Sequence, residues 1–304
     1  MRRNSVKGQY IRQKAHRKAV VRRKQSKIQC LKVATDRTLK EYVTKHLTDE
    51  QSPDGISGRI KRVETHIHSA STKAIYKFVH SVHGRPLEKY LYSKAVKKKG
   101  GPKRKYSVTI DGRRTIDERP KRIEKRKEFG HFEGDFIESG KDGTGSLMVL
   151  VERKTRQPFL IYTDNRTTIH INRLIADALH GMPVKSVTLD NDISFQKHEE
   201  LSAFIDATVF FCHPYCSHEK GTVENRNKAI RRYVPKRTDL STIPKERFKK
   251  IEQILRTRFM ACLGYHTPQE AWDREMEKYH AAMKQTKNAQ SALYQLTESV
   301  LLQG

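Results

Sequence analysis

Basic residues are concentrated in the first 130 positions, where 37 Lys+Arg stand against 12 Asp+Glu, a net +25. Residues 131–304 carry 25 against 22, a net +3. A stretch so strongly self-repelling needs an anion to offset it, and an apolar content of only 36% places part of this chain outside any packed core. The whole chain, at +28 with a pI near 10.0, favours polyanionic partners, nucleic acid first. Its 304 residues leave room for roughly two domains. The longest wholly apolar run is Leu147 to Val151, far short of the ~18–20 residues of a membrane span. No apolar segment follows the basic N-terminus, so it does not read as a secretory signal. Cys30, Cys212, Cys216 and Cys262 are too few and too irregular for a disulfide framework, which points to a reducing cytoplasm. The expected location is cytoplasmic, with no membrane partner.

Residues 1–35 form a basic arm, either a helix on DNA or disordered without it. Over 36–92 the pattern predicts a small helical unit. Leu39, Tyr42, Val43 and Leu47 recur at helical spacing. Ser52-Pro53 reads as an N-cap followed by Pro at the first helical position, and Ser71 as a further cap. Three short helices with short connections fit a helix-turn-helix, as they fit any small helical bundle. The recognition helix would run from about Ser71 to Ser81, with Lys73 and Lys77 as candidate DNA contacts. Residues 93–130 read as a basic linker, with Lys97, Lys98, Lys99 and Arg104 suited to phosphate.

The character changes at His131. Strands are expected at 131–137, 147–152, 159–162, 184–189 and 208–211, with Lys141-Asp142-Gly143 as hairpin turn. Helices are expected at 168–179, 196–205, 219–233, 244–263 and 268–279, the last with Thr267 as N-cap. The order β-β-β-α-β-α-β-α predicts an α/β core over 131–280, a mixed sheet flanked by helices. Residues 281–304 read as a C-terminal tail without evident chemistry.

Three acids stand out. Asp135 sits within an apolar strand, Asp190 ends another and is followed by Asn191, and Glu224 lies on a polar helix. Each alone is more simply a cap or a solvated residue. A carboxylate in or beside a buried strand is unfavourable unless paired or metal-bound, and three together would repel one another and invite divalent cations. Oxygen donors of this kind suit Mg²⁺, with Mn²⁺ as an alternative. Two such ions about 3.5–4 Å apart would polarise the attacking and leaving oxygens of a phosphoryl transfer. Asp190 and Glu224 are separated by 33 residues, and Arg231 falls seven after Glu224, two turns along the same helix face, where it is a candidate DNA-phosphate contact.

This arrangement resembles the DDE transposases and retroviral-type integrases, which have ribonuclease-H-like cores. The segments Ile116-Asp-Glu-Arg-Pro120, Gly130-His-Phe-Glu-Gly-Asp135, Leu150-Val-Glu-Arg-Lys154 and Thr188-Leu-Asp-Asn191 are similar to those of the insertion-sequence-thirty family of bacterial transposases. Phe211-Cys-His-Pro-Tyr-Cys-Ser217, Gly221-Thr-Val-Glu-Asn225, Tyr233-Val-Pro-Lys-Arg-Thr-Asp239 and Leu263-Gly-Tyr-His-Thr-Pro268 extend the match. The resemblance implies a metal-dependent DNA strand transferase with Asp135, Asp190 and Glu224 as catalytic metal ligands. It implies element ends and target DNA as partners, and a homo-oligomer on DNA. Two departures stand out. Asp192 occupies the place of a family glycine, which would permit positive φ. Met1-Arg-Arg-Asn4 resembles the tail of a first helix-turn-helix, so the chain reads as N-terminally short. Both favour an alternative, a catalytically impaired remnant acting as a DNA-binding protein or repressor.

Lys220 and Arg226, flanking Glu224, are candidate DNA contacts or simply solvated charges. The cluster Cys212, His213, Cys216 and His218 lacks the second half of a structural zinc site, so no zinc is expected. Trp272 is expected in the core rather than as a base-stacking platform.

Overall fold

The computed structural model describes residues 10–25, 31–91, 110–140, 143–213 and 217–301. Met1 to Asn4, Cys30, Lys97, Lys98, Lys99, Arg104, the Lys141-Asp142 turn, Cys216 and the His218 side chain lie outside the described residues. The chain divides into two compact units. One comprises Met1–Lys98 with Arg258–His266, the other Lys99–Thr257 with Thr267–Gly304. Among the described residues no helix is long and apolar enough to cross a membrane.

The first unit is helical: α1 (Arg12–Gln25), α2 (Lys32–Thr35), α3 (Arg37–Thr48), α4 (Pro53–Arg62) and α5 (Thr72–Val79). Helix starts follow their capping chemistry. Asp36 accepts the Leu39 N–H at 3.0 Å, Ser52 that of Gly55 at 3.0 Å, and Ser71 that of Ala74 at 3.2 Å. Leu39, Val43, Leu47, Ile56, Ile60, Ile75 and Phe78 then meet in one core.

Arg258–His266 completes this unit, which corrects the continuous 131–280 core. Gln51 Oε1 accepts the Phe259 N–H at 2.8 Å, and the His46 ring lies 5.1 Å from that of Phe259. The Arg59 guanidinium sits 4.9 Å from the Phe259 ring centre and donates to the Tyr265 carbonyl at 3.3 Å. At Gly58 a Cβ would fall 2.0 Å from the Tyr265 ring, so only glycine fits there.

The second unit contains β1 (Arg114–Thr115), α6 (Lys121–Glu124), β2 (His131–Glu138), β3 (Ser146–Glu152), β4 (Pro158–Thr163), α7 (Thr168–Leu179), β5 (Ser186–Leu189), α8 (His198–Ile205), β6 (Thr208–Phe211), α9 (Gly221–Ile230), α10 (Lys245–Arg256) and α11 (Pro268–Leu301). The sheet runs β1-β6-β5-β2-β3-β4. Strands β2, β3 and β4 are antiparallel neighbours, while β5 lies parallel to β2, and β6 and β1 continue that direction. One face packs Phe132, Met148 and Leu150 against Ile171 and Ile175 of α7 and Trp272 of α11. The other packs Leu147, Val149 and Val151 against Val223 and Ile230 of α9 and Phe248 and Ile251 of α10. Both faces of β3 are covered, which is why Leu147–Val151 reads as an unbroken apolar run. This is the expected α/β core, a mixed sheet flanked by helices. Trp272 is a core residue, 8% exposed, with its ring edge-on to Phe129, Phe132 and Phe159.

Three expected boundaries move. The linker ends before 110, because Ile110, Arg119 and Ile123 are buried. Helix α10 stops at Arg256 rather than 263, because Phe259 packs beside His46 in the helical unit. Helix α11 continues through the expected tail to Leu301, with no Pro or Gly between Pro268 and Gly304 to stop it.

Candidate active site

The site forms where β2, the end of β5 and the start of α9 meet. Parallel pairing of β2 with β5 sets Glu133 opposite Thr188; two residues on along that register lie Asp135 and Asp190. Lys220, just before α9, enters between them. Its Nζ lies 2.9 Å from Asp135 Oδ1 and 3.5 Å from Asp190 Oδ2, and donates to the Gly134 carbonyl at 3.3 Å. From the next helical turn Asn227 Nδ2 donates to Asp135 Oδ2 at 2.6 Å. A carboxylate can only accept, which fixes the amide orientation.

The electrostatics follow from crowding. Burial raises the Asp190 carboxyl to about 6, the charges of Asp135 and Asp192 add to this, and Lys220 opposes it. The side chain is 41% exposed, yet its Oδ1 is buried without a hydrogen-bond partner among the described residues. Asn227 Oδ1 is orphaned in the same way. Lys220 is held above the ordinary lysine value by the two aspartates in spite of its burial. Two hard carboxylates around an ammonium, with a spare buried acceptor, are a donor set fit for a small divalent cation.

Glu224 lies in the first turn of α9, where its Oε1 pairs with Lys228 Nζ at 3.0 Å. Among the described residues no three acidic, His or Cys side chains close around one point, so the structure brings Asp135 and Asp190 together and leaves Glu224 on the adjoining helix.

Two expected DNA contacts are corrected. Lys220 is 4% exposed and committed to the aspartates; Arg226 is 4% exposed and donates to the Arg156 carbonyl at 2.8 Å. Arg231 follows the last residue of α9, its guanidinium donating to the carbonyls of Glu138 at 3.1 Å and Pro235 at 3.3 Å. Lys73 and Lys77 are exposed on α5. Asp192 has φ −86 and ψ 141, an extended conformation with no need of glycine. It caps the turn Ile193–Phe195 through the Ser194 N–H at 2.9 Å and pairs with Arg166 at 2.5 Å. Cys212 is buried, its thiol pushed up to about 12, while His213 lies between Asp117 at 2.8 Å and Glu219 at 2.9 Å.

Sequence reasoning missed Asn227 and Glu133. Both carry a positional signal: Asn227 is three residues after Glu224 on one helix face, and Glu133 two before Asp135 on one strand face. Glu133 is fully buried, with its Oε2 accepting the Thr222 and Val223 N–H groups at 2.9 and 3.0 Å.

No protein-family model matches the chain. The transposase for insertion sequence element IS4351 of Bacteroides fragilis is 34% identical over 268 residues, 86% of this chain and 80% of that protein. Transposase InsI for insertion sequence element IS30A of Escherichia coli K12 is 26% identical over 249 residues, 78% of this chain and 64% of that one. The catalytic core domain of BIV integrase, a solved structure, superposes with a TM-score of 0.38 at 18% identity, over 49% of this chain and 98% of that one.

Proposed function

The chain belongs to the insertion-sequence-thirty family of bacterial transposases and acts on DNA in transposition, and from that premise we propose that Asp135, Asp190 and Glu224 carry metal-dependent strand cleavage and strand transfer. The observation that carries this reading is the buried Lys220 ammonium between Asp135 and Asp190: the pair already holds a cation. Asp135 and Asp190 would hold the metal directly, with Glu224 turning to it from Lys228. A bound Mg²⁺ or Mn²⁺ supplies Lewis-acid activation of the attacking oxygen, water for cleavage and a 3′-OH for transfer, and of the leaving oxygen. Asn227 orients Asp135 by its 2.6 Å hydrogen bond.

The helical unit would bind the terminal inverted repeats, with α5 presenting Lys73 and Lys77. A homo-oligomer on the DNA would bring the element ends together. The expected outcome for Asp135→Asn is loss of Mg²⁺-dependent cleavage of labelled end DNA by more than about a hundredfold, with end-DNA affinity within about twofold of wild type. Strand transfer by Asp135→Asn or Glu224→Gln would sink the assignment.

A further inference from the structure

We infer that Glu133 is a positioning residue for this active site, setting the register of α9 against β2 and so the place of Glu224 relative to Asp135. The inference rests on the strand-transfer reading above. A fully buried carboxylate is unfavourable unless it is paired, and Glu133 is held by hydrogen bonds at one oxygen and by an ion pair at the other. Oε2 takes the Thr222 and Val223 N–H groups at 2.9 and 3.0 Å. These are unpaired donors of the first turn, at the positive end of the helix. Oε1 faces Arg153 Nε at 3.1 Å. That contact is an ion pair without hydrogen-bond geometry, so the hydrogen bonds of Glu133 run to the helix alone.

The two tethers between β2 and α9 match in length. From Glu133 to Asp135 the strand rises about 6.6 Å. From the Thr222–Val223 amides to Asn227, the partner of Asp135, α9 rises about 6–7.5 Å. Glu224 lies between the two tethers. A slip of α9 by one residue would break both and swing Glu224 by about 100°. A third fastening comes from the β3–β4 turn, where Arg156 donates to Thr222 Oγ1 at 2.9 Å.

The test compares the full chain with Glu133→Asp, Glu133→Gln and Glu152→Gln. Glu133→Asp keeps the charge beside Arg153 but withdraws the acceptor by one methylene. Glu133→Gln is isosteric and keeps one acceptor oxygen. Glu152 is equally buried, but its hydrogen bonds run to Gly130 and Thr155. Mn²⁺ binding without DNA, by calorimetry, is read beside cleavage and melting temperature. Glu133→Asp is expected to weaken Mn²⁺ binding and cleavage by about 10–100-fold, Glu133→Gln by less, with end-DNA affinity unchanged. Glu152→Gln should lower the melting temperature and leave Mn²⁺ affinity within about twofold of wild type. Wild-type Mn²⁺ affinity in both Glu133 variants overturns the inference. So does a Glu152→Gln variant weakened as much as Glu133→Asp at equal loss of melting temperature. Failure of the catalytic reading is separate: wild type would then bind no Mn²⁺, or Asp135→Asn would still cleave.

Discussion

Asp190 sits where its charge is least welcome, beside Asp135 and with Oδ1 buried. Its folded value of about 6 lies above the ordinary 3.8. The stabilising effect of its proton is thus complete below about pH 3.8 and is lost as pH rises through about 6. In metal-free protein the ionised group is a burden at neutral pH, and Asp190→Asn should melt higher than wild type at pH 7.5. The gain is about 1 kcal/mol, since solvent screens a partly exposed group, and should shrink towards pH 5. Paired melts of the two proteins check this; a margin that widens on acidification contradicts it. Asp135 and Asp190 were legible because an acid flanked by apolar strand residues is conspicuous. Lys220 was not, because a lysine beside a glycine looks the same whether it faces solvent or a carboxylate pair. Asp192 was misleading for a related reason: a family glycine suggests positive φ, but the backbone is extended there and its side chain caps Ser194.

At the scale of elements, the capped helices were the most legible, since a cap and its helix lie within four residues of one another. Strands β2 to β6 were legible from alternation or unbroken apolar runs. Helix α10 was not bounded correctly. Phe259 lies four residues after Leu255 and prolongs the helical spacing, yet its ring packs beside His46 in the other unit. The same segment gives a test. Gly58→Ala would set a methyl 2.0 Å from the Tyr265 ring, an overpacking worth about 1–3 kcal/mol. Its expected result is a lower melting temperature that Tyr265→Ala in the same chain partly restores. A full, independent sum of the two single losses would contradict the contact.

Over the whole molecule, the charge asymmetry assigns tasks to the two ends of the sequence. The +25 of residues 1–130 suits phosphate, and the near-balanced remainder holds the carboxylates. Binding to end DNA should weaken steeply with salt, the log–log slope reflecting about 0.9 per phosphate neutralised. Alanine at Lys97, Lys98 and Lys99 together should reduce that slope by about 2–3, whereas Asp135→Asn should leave it unchanged. Filter binding across a salt series measures both, and equal slopes for wild type and the triple variant would remove this run from the interface.

By itself the sequence determined the order of strands and helices from β2 onward, the capped helix starts, the division of charge and the candidate acids. Those properties reside in a few neighbouring residues: a period, a cap, an apolar flank. Only the tertiary structure decided that Lys220 and Arg226 turn inward, that Arg258–His266 completes the helical unit, and that Glu133 fastens α9. Each of these is a choice among partners distant in the chain. Burial of a charge is tolerable only once such a partner is in place, and no local pattern announces which one it will be.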